Sequence, residues 1–93
     1  MGTKKRNRLE VIRDILTVIK QKSGTIKPTH ILYKSNLSYA MMEEYLGELL
    51  GKKFITEEID AGHKRYSITE KGAQYLEKYR FIAEFSESFG LAD

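Results

Sequence analysis

The stretch that decides the fold is Phe54-Ile55-Thr56-Glu57-Glu58-Ile59 and Lys64-Arg65-Tyr66-Ser67-Ile68, with Asp60-Ala61-Gly62-His63 between them. Both outer segments are rich in β-branched and aromatic residues. Ile55, Ile59, Tyr66 and Ile68 fit an alternation of period two with one slip. The intervening loop has hairpin length and contains a glycine. This change of period predicts a β-hairpin and argues against a bundle made of three helices alone.

Three helical segments precede this hairpin. The first covers about residues 7–22 and ends at Ser23-Gly24. Its apolar stripe is formed by Leu9, Ile12, Leu16 and Ile19 and is widened by Val11, Ile15 and Val18. Ile26 is expected to be a short extended residue that packs on the core. A two-turn helix follows over about residues 29–35, because Pro28 holds Lys27 out of helical geometry.

The third helix begins after a tight turn. Asn36 suits positive φ in that turn, and Ser38 fits the N-cap position. The helix ends at Gly51, and its expected core residues are Met42, Tyr45, Leu46, Leu49 and Leu50, with Leu37 anchoring the preceding turn. Two short helices joined by a tight turn behind a longer first helix form a helix-turn-helix arrangement.

A long last helix is expected from about Glu70 to Phe89, with Thr69 as its cap. The fold class is therefore mainly α with a small β-hairpin, in the order α-α-α-β-β-α, which is a winged helix-turn-helix. The expected organisation is a basic flexible arm over residues 1–7, a winged helix-turn-helix domain over residues 8–72 and a C-terminal dimerisation helix over residues 70–89.

Composition narrows the class of protein. The chain has 93 residues, a formal net charge of +3 and no cysteine, which excludes disulfides and thiolate metal sites. It contains no apolar run of the roughly 20 residues that cross a bilayer. We therefore expect one soluble domain with no membrane partner, located in the cytoplasm and associated with the nucleoid. Residues 1–8 carry four cations and no acid, which favours a polyanionic partner.

Three segments resemble a family of small archaeal winged-helix proteins: Thr29-His30-Ile31-Leu32-Tyr33-Lys34-Ser35-Asn36-Leu37-Ser38-Tyr39, the pair Tyr45-Leu46, and Ile68-Thr69-Glu70-Lys71-Gly72. The resemblance covers about residues 8–80. It implies a winged-helix fold, sequence-general or regulatory DNA binding, and dimerisation through an antiparallel coiled coil of the last helix. The chain departs from that family at Glu43 and Glu44, where Lys or Arg is common, and at Lys53-Phe54-Ile55, where Gly-Leu-Ile is usual.

The expected DNA contacts follow from how a helix-turn-helix docks. Its third helix enters the major groove, so Ser38, Tyr39 and Met41 would face base edges. The acidic residues Glu43, Glu44 and Glu48 oppose a phosphate backbone, so most of the affinity must come from elsewhere. The expected phosphate contacts lie on the arm, the second helix and the wing: Lys4, Lys5, Arg6, Arg8, Thr29, His30, Lys34, His63, Lys64 and Arg65.

The last helix carries a ladder of spacings three and four through Gly72, Tyr75, Tyr79, Ile82, Ser86 and Phe89. Its end extends beyond the length that a winged domain needs, so a second chain is the expected cover. The predicted dimer interface consists of Tyr75, Tyr79, Ile82, Phe85, Ser86 and Phe89. The alternative is that the helix folds back on its own core.

These patterns predict a homodimeric protein that binds double-stranded DNA, as a transcriptional regulator or a chromatin-like protein. The alternative is a winged helix that contacts other proteins through its acidic third helix. His30 and His63 are far apart in sequence, and no group of residues has metal-ligand or nucleophile spacing. We therefore expect no enzymatic activity, no catalytic residue, no cofactor, no metal site and no small-molecule substrate.

Overall fold

The computed structural model describes residues 6–90. It contains α1 (Arg8–Gln21), α2 (Pro28–Ser35), α3 (Tyr39–Gly51), β1 (Ile55–Asp60), β2 (His63–Ile68) and α4 (Glu70–Ser88). The predicted order and the predicted winged-helix fold are confirmed. Because hydrophobic periodicity and capping residues are both strong in this chain, the expected bounds agree closely with the observed ones.

Helix α1 lies at the centre of the core. Its buried face consists of Val11, Ile12, Ile15, Leu16 and Ile19. These residues pack with Ile26, Ile31, Leu37, Met42, Leu46, Leu49, Ile55 and Tyr66 from the other elements. Leu9, which the sequence placed in the stripe, is 54% exposed. Leu9 lies in the first turn at the edge of the buried face, so a spacing that fits the stripe does not bring its side chain into the core.

The two strands pair antiparallel from Ile55↔Ile68 to Asp60↔His63. The loop is therefore shorter than the sequence suggested, with only Ala61 and Gly62 outside the pairing. Both have positive φ, 52° and 80°, as a two-residue type I′ turn requires. Ile59 needs no slip to share a face with Ile55, but it is 65% exposed because the hairpin tip extends beyond the core.

Ile26 joins this sheet as expected. It forms an isolated antiparallel bridge with Tyr66, whose backbone N–H donates to the Ile26 carbonyl at 3.2 Å. Gly24 donates its backbone N–H to the carbonyl of Tyr66 at 2.9 Å. The segment between α1 and α2 is therefore held against the wing, and Ile26 is almost completely buried.

The junction before α4 is built around the carbonyl group of Phe54. The hydroxyl oxygen of Thr69 lies 2.7 Å from the carbonyl oxygen of Lys53 and 2.9 Å from that of Phe54, and it accepts from the Gly72 backbone N–H at 3.1 Å. Lys71 donates to the Lys52 carbonyl at 2.8 Å and lies over the Phe54 ring. These contacts explain the Thr-Glu-Lys-Gly sequence, because Thr69, Lys71 and Gly72 all contact the chain that leaves α3.

Lys53 adopts φ 66°, in the left-handed region. This is the position at which the resembling family has glycine, the residue that adopts positive φ without a steric penalty. Lys53 therefore adopts the backbone conformation that glycine favours, although lysine is less suited to it.

Ser35 is buried where α2 packs on the core, and within the described residues its hydroxyl has no hydrogen-bond partner. We expect Ser35→Ala to raise the free energy of unfolding by about 1 kcal/mol, because an unsatisfied buried hydroxyl is removed. The same change at Ser38 is a matched control with the opposite sign. Ser38 accepts from the Met41 backbone N–H at 3.2 Å, so Ser38→Ala should cost about 1 kcal/mol. Urea denaturation measures both, and a Ser35→Ala variant that is less stable would contradict the expectation.

Candidate nucleic-acid interface

The turn between α2 and α3 has the geometry that the sequence indicated. Asn36 adopts φ 54°, Leu37 is buried beneath the turn, and Ser38 caps α3. The turn places the exposed side of α2 next to the N-terminal end of α3. The predicted contacts on these two helices therefore belong to one continuous stretch of exposed surface.

Helix α2 presents a polar face with one large aromatic ring. Ile31 and Ser35 face the core, whereas His30, Tyr33 and Lys34 are exposed at spacings of three and four, and so share the opposite face. Thr29 is also exposed. Sequence reasoning identified Thr29, His30 and Lys34 but missed Tyr33, which is 78% exposed. Tyr33 belongs to the segment that resembles the archaeal family, and that segment does not indicate which of its side chains are exposed.

The first turn of α3 exposes Ser38, Tyr39 and Met41, and the next exposes Glu43 and Glu44. These are the positions that meet base edges when such a helix lies in a major groove. The third acid, Glu48, is partly neutralised, since it forms ion pairs with Arg8 and, at 3.9 Å, with Lys52. Within residues 6–90, Glu43 and Glu44 form no ion pair, so they carry the uncompensated negative charge of this helix.

Two of the predicted arm residues have partners inside the domain. Arg6 donates to Asp14 at 2.6 Å and to the Asn36 carbonyl at 3.1 Å. Arg8 pairs with Glu48 and lies over the Tyr45 ring. These guanidinium groups can reach DNA only if they share or exchange those partners, so their assignment stays a prediction. Lys4 and Lys5 lie outside the described residues.

The wing carries cations on both faces. Lys64 shares a face with Glu57, and the charged groups are 3.8 Å apart, whereas His63 and Arg65 lie on the other face. Glu57 also accepts from the Tyr66 hydroxyl at 2.9 Å. Burial and this hydrogen bond raise the pKa of Tyr66 above its ordinary value, with further contributions from Glu43 and Tyr39. Because Glu57, Glu58 and Asp60 accompany Lys64 and Arg65, the wing is nearly balanced in charge.

A long stretch of the chain contains no carboxylate. Residues 15–42 contain no Asp and no Glu, but they contain four lysines: Lys20, Lys22, Lys27 and Lys34. We call the exposed part formed by α2 and the first turn of α3 the acid-free surface; its side chains are Lys27, Thr29, His30, Tyr33, Lys34, Ser38, Tyr39 and Met41. Lys27 was not among the expected phosphate contacts, and the absence of acidic residues between Asp14 and Glu43 was the signal that could have indicated it.

A model of the family described as winged helix-turn-helix matches residues 5–87. The chain belongs to the winged helix-turn-helix family. A relative of this winged helix-turn-helix protein, an uncharacterized protein of Methanocaldococcus jannaschii, is 35% identical over 74 residues. The match covers 80% of this chain and 32% of that protein, so the chain spans about a third of the relative's length.

Solved structures share the fold of this winged helix-turn-helix protein. Sso10a-2, a DNA-binding protein from Sulfolobus solfataricus, is 23% identical with a TM-score of 0.79, and the match covers 90% of this chain and 85% of that one. A mutant of S. aureus MepR, bound to an oligodeoxyribonucleotide, is 20% identical with a TM-score of 0.72, covering 89% and 61% of the two chains. The resemblance to archaeal winged-helix proteins is thereby confirmed.

The predicted dimer residues on α4 of this winged helix-turn-helix protein fall into two groups, and the first group contacts its own domain. Tyr75 donates to the Leu9 carbonyl at 3.0 Å, and its ring meets that of Phe54 edge-on. Burial raises the pKa of Tyr75, and the neighbouring Tyr79 raises it further. Tyr79 stacks on Tyr75 and lies under Arg13, so both tyrosines contact their own domain.

Beyond Tyr79, the apolar side chains of α4 remain uncovered. Phe81, Ile82, Phe85 and Phe89 are 58–71% exposed, and the rings of Phe85 and Phe89 are 4.9 Å apart. Ser86 is half-buried. Sequence reasoning missed Phe81, which lies outside the ladder but one turn before Phe85. The end of the helix therefore does not fold back on its own core, which was the alternative.

Neither a metal-ligand cluster nor a membrane-spanning helix occurs in residues 6–90. No three His, Asp or Glu side chains in this part of the chain converge as metal ligands. None of its helices is both long and apolar enough to cross a membrane.

Proposed function

We propose that this winged helix-turn-helix protein binds duplex DNA as a homodimer and acts as a transcriptional regulator or a chromatin-like protein associated with the nucleoid in the cytoplasm. The observation that carries the proposal is the acid-free surface, which combines the exposed face of α2 and the first turn of α3 with Lys27 and Lys34; Glu43 and Glu44 follow on the next turn of α3. The structural neighbours described as DNA-binding or as bound to an oligodeoxyribonucleotide support it.

We assign different roles to the predicted residues. Ser38, Tyr39 and Met41 would meet base edges in the major groove, where a hydroxyl can donate and a thioether can contact a thymine methyl. Phosphate contacts would come from Lys27, Thr29, His30 and Lys34 on one side. On the other side they would come from His63, Lys64 and Arg65 of the wing. Lys4 and Lys5 would extend this footprint.

A salt-dependent titration of labelled duplexes tests this function. Because bound lysines release counterions from the duplex, the logarithm of the binding constant should fall linearly with the logarithm of salt concentration, with a slope of about −0.9 for each neutralised phosphate. Specific and random duplexes measured side by side separate regulatory from architectural binding. No gel shift at micromolar protein and low salt would contradict the proposal.

The exposed end of α4 supports the homodimer. Three phenylalanine rings at roughly two-thirds exposure leave on the order of 400 Å² of apolar surface per chain, which is comparable to the largest apolar patch of a typical monomer, a patch that is often functional. We expect Phe85→Glu to give a monomeric mass in light scattering, because a charge would be buried in the interface. Thr56→Glu adds the same charge on the wing and should keep the dimer. A monomeric mass for the unaltered protein at high concentration would contradict the dimer.

Glu43 and Glu44 favour the second candidate function, a module that contacts a basic protein. Replacing both with lysine distinguishes the two functions. If duplex DNA lies against α3, the added positive charge should tighten binding at least about 10-fold at low salt and steepen its salt dependence. If α3 instead meets a basic protein, neither form binds duplex, and the variant loses its partner. Weaker duplex binding by the variant would contradict our assignment of α3 to the DNA.

A further inference from the structure

Four of the six tyrosines are held by contacts within the domain. The Tyr66 hydroxyl donates to Glu57 and that of Tyr75 donates to the Leu9 carbonyl. The ring of Tyr45 lies beneath Arg8, and that of Tyr79 beneath Arg13. Each of these tyrosines therefore has a structural role that accounts for its position.

Tyr33 and Tyr39 differ from these four. They are 78% and 66% exposed, and in the described part of the chain neither forms a side-chain hydrogen bond, an aromatic pair or a cation–π contact. Packing within the domain does not explain two large rings in this position. Both lie on the acid-free surface, on either side of the turn between α2 and α3.

Tyr33 has a cationic neighbour on its own helix face. Tyr33 shares the outward face of α2 with His30 and Lys34, and Tyr39 is the first residue of α3. No carboxylate occurs in residues 15–42, and the acid next after Tyr39 in the sequence is Glu43, one turn further along α3. Exposed aromatic rings on a cationic surface are the combination that proteins use to bind single strands: the charges follow the backbone and the rings stack on bases.

An intact duplex cannot use these rings fully. Its bases are stacked on each other, so a protein reaches their edges in the grooves but not their faces. A tyrosine on a duplex can donate its hydroxyl to a phosphate, but its apolar ring gains little. An unpaired base instead offers a face that a tyrosine ring can cover, whatever the sequence.

We propose that Tyr33 and Tyr39 stack on unpaired bases, so that the acid-free surface also binds single-stranded DNA. This inference rests on the proposed DNA-binding function and adds a second form of its ligand. Lys27 and Lys34 hold the phosphates beside the stacked bases. A duplex that has opened locally would be captured by the same two rings.

Matched variants separate stacking from hydroxyl contacts. Binding of a labelled 12-nucleotide oligo(dT) is measured by fluorescence anisotropy for the unaltered protein, for Tyr33→Ala with Tyr39→Ala, and for Tyr33→Phe with Tyr39→Phe. Stacking contributes about 1–3 kcal/mol per base, so the alanine pair should lose at least about 30-fold in affinity. The phenylalanine pair should stay within about twofold. Equal losses in both pairs, or no loss in the alanine pair, would overturn the inference.

A fluorescent variant gives an independent readout. The chain contains no tryptophan, so Tyr33→Trp introduces one indole at the proposed stacking position. Titration with oligo(dT) should quench its fluorescence as the indole stacks, and an unchanged emission at saturation would overturn the inference. Since both rings are exposed, thermal melting should show an unchanged fold in all variants, and a variant that does not fold is replaced by the corresponding single substitution.

A 12-base-pair duplex titrated in parallel separates the two proposals. Binding to duplex but not to oligo(dT) overturns the stacking inference and leaves the proposed function intact. Binding to oligo(dT) alone overturns duplex recognition and supports stacking. Binding to neither overturns both.

Discussion

Gly72→Ala is expected to lower the free energy of unfolding by about 2–3 kcal/mol, because the added methyl group has no room between α4 and the chain that leaves α3. A Cβ at Gly72 would lie 2.8 Å from Cγ1 of Ile68 and closer still to the carbonyl oxygen of Phe54. That carbonyl is fixed by the Thr69 backbone N–H at 3.0 Å, so it cannot move aside without loss of the junction. Overpacking of this kind exceeds the gain of about 1 kcal/mol that alanine brings to a helix.

Gly47→Ala is the matched control for this prediction. Gly47 lies in α3 with no atom within 4 Å of an added Cβ, so helix propensity should raise stability there by about 0.5–1 kcal/mol. Thermal unfolding followed by circular dichroism measures both variants, and in a domain of this size Gly72→Ala should lower Tm by roughly 10 °C or more. A Tm equal to that of the unaltered protein would show that the α3–α4 junction is not tightly packed.

Reversing two charges on the acid-free surface is expected to have the largest effect on DNA binding. Lys27→Glu combined with Lys34→Glu places two carboxylates where the proposal has phosphate contacts. We expect duplex affinity at low salt to fall by about 100-fold. The salt slope should decrease in magnitude by about 2, since each lost lysine contact removes about one unit.

A control with the same change in net charge shows whether position matters. Lys78→Glu with Arg80→Glu alters two exposed cations of α4, and light scattering checks that this variant keeps its mass. Its duplex affinity should fall only slightly, because its charges lie on the last helix and not on the helix-turn-helix. Equal losses in the two double variants would mean that net charge alone attracts the DNA.

The sequence predicted the elements well because each carries its own local information. The switch from helical to alternating spacing after Gly51 defined the wing, and Asn36, Ser38 and Thr69 marked turns and caps at single residues. What failed depended on neighbours distant in the chain. Leu9 has the right spacing but lies in the first turn of α1, at the edge of the buried face. Ile59 has the right alternation but lies near the tip of a hairpin that extends beyond the core.

The candidate site was harder to predict for the same reason. The sequence predicts that Arg8 is a free cation, because its ion-pair partner Glu48 is forty positions further along the chain. Tyr75 and Tyr79 fit a dimerisation ladder equally well whether they meet a second chain or their own α1. Periodicity indicates that a side chain is buried, but it does not indicate which element or which chain buries it. Tyr33 is the reverse case, because a helical spacing that includes apolar neighbours does not reveal that its ring is exposed.

The contacts between the α3 exit and the start of α4 have a consequence for an assembled dimer. Thr69, Lys71 and Gly72 all contact Lys52–Phe54. We therefore expect α3 and α4 to move together as one rigid unit. If two such units pair through the ends of their α4 helices, the crossing angle of these helices sets the distance between the two α3 helices. In the proposed dimer, residues 81–89 of α4 would therefore influence the separation of the two helix-turn-helix units, although we assign none of them to the DNA.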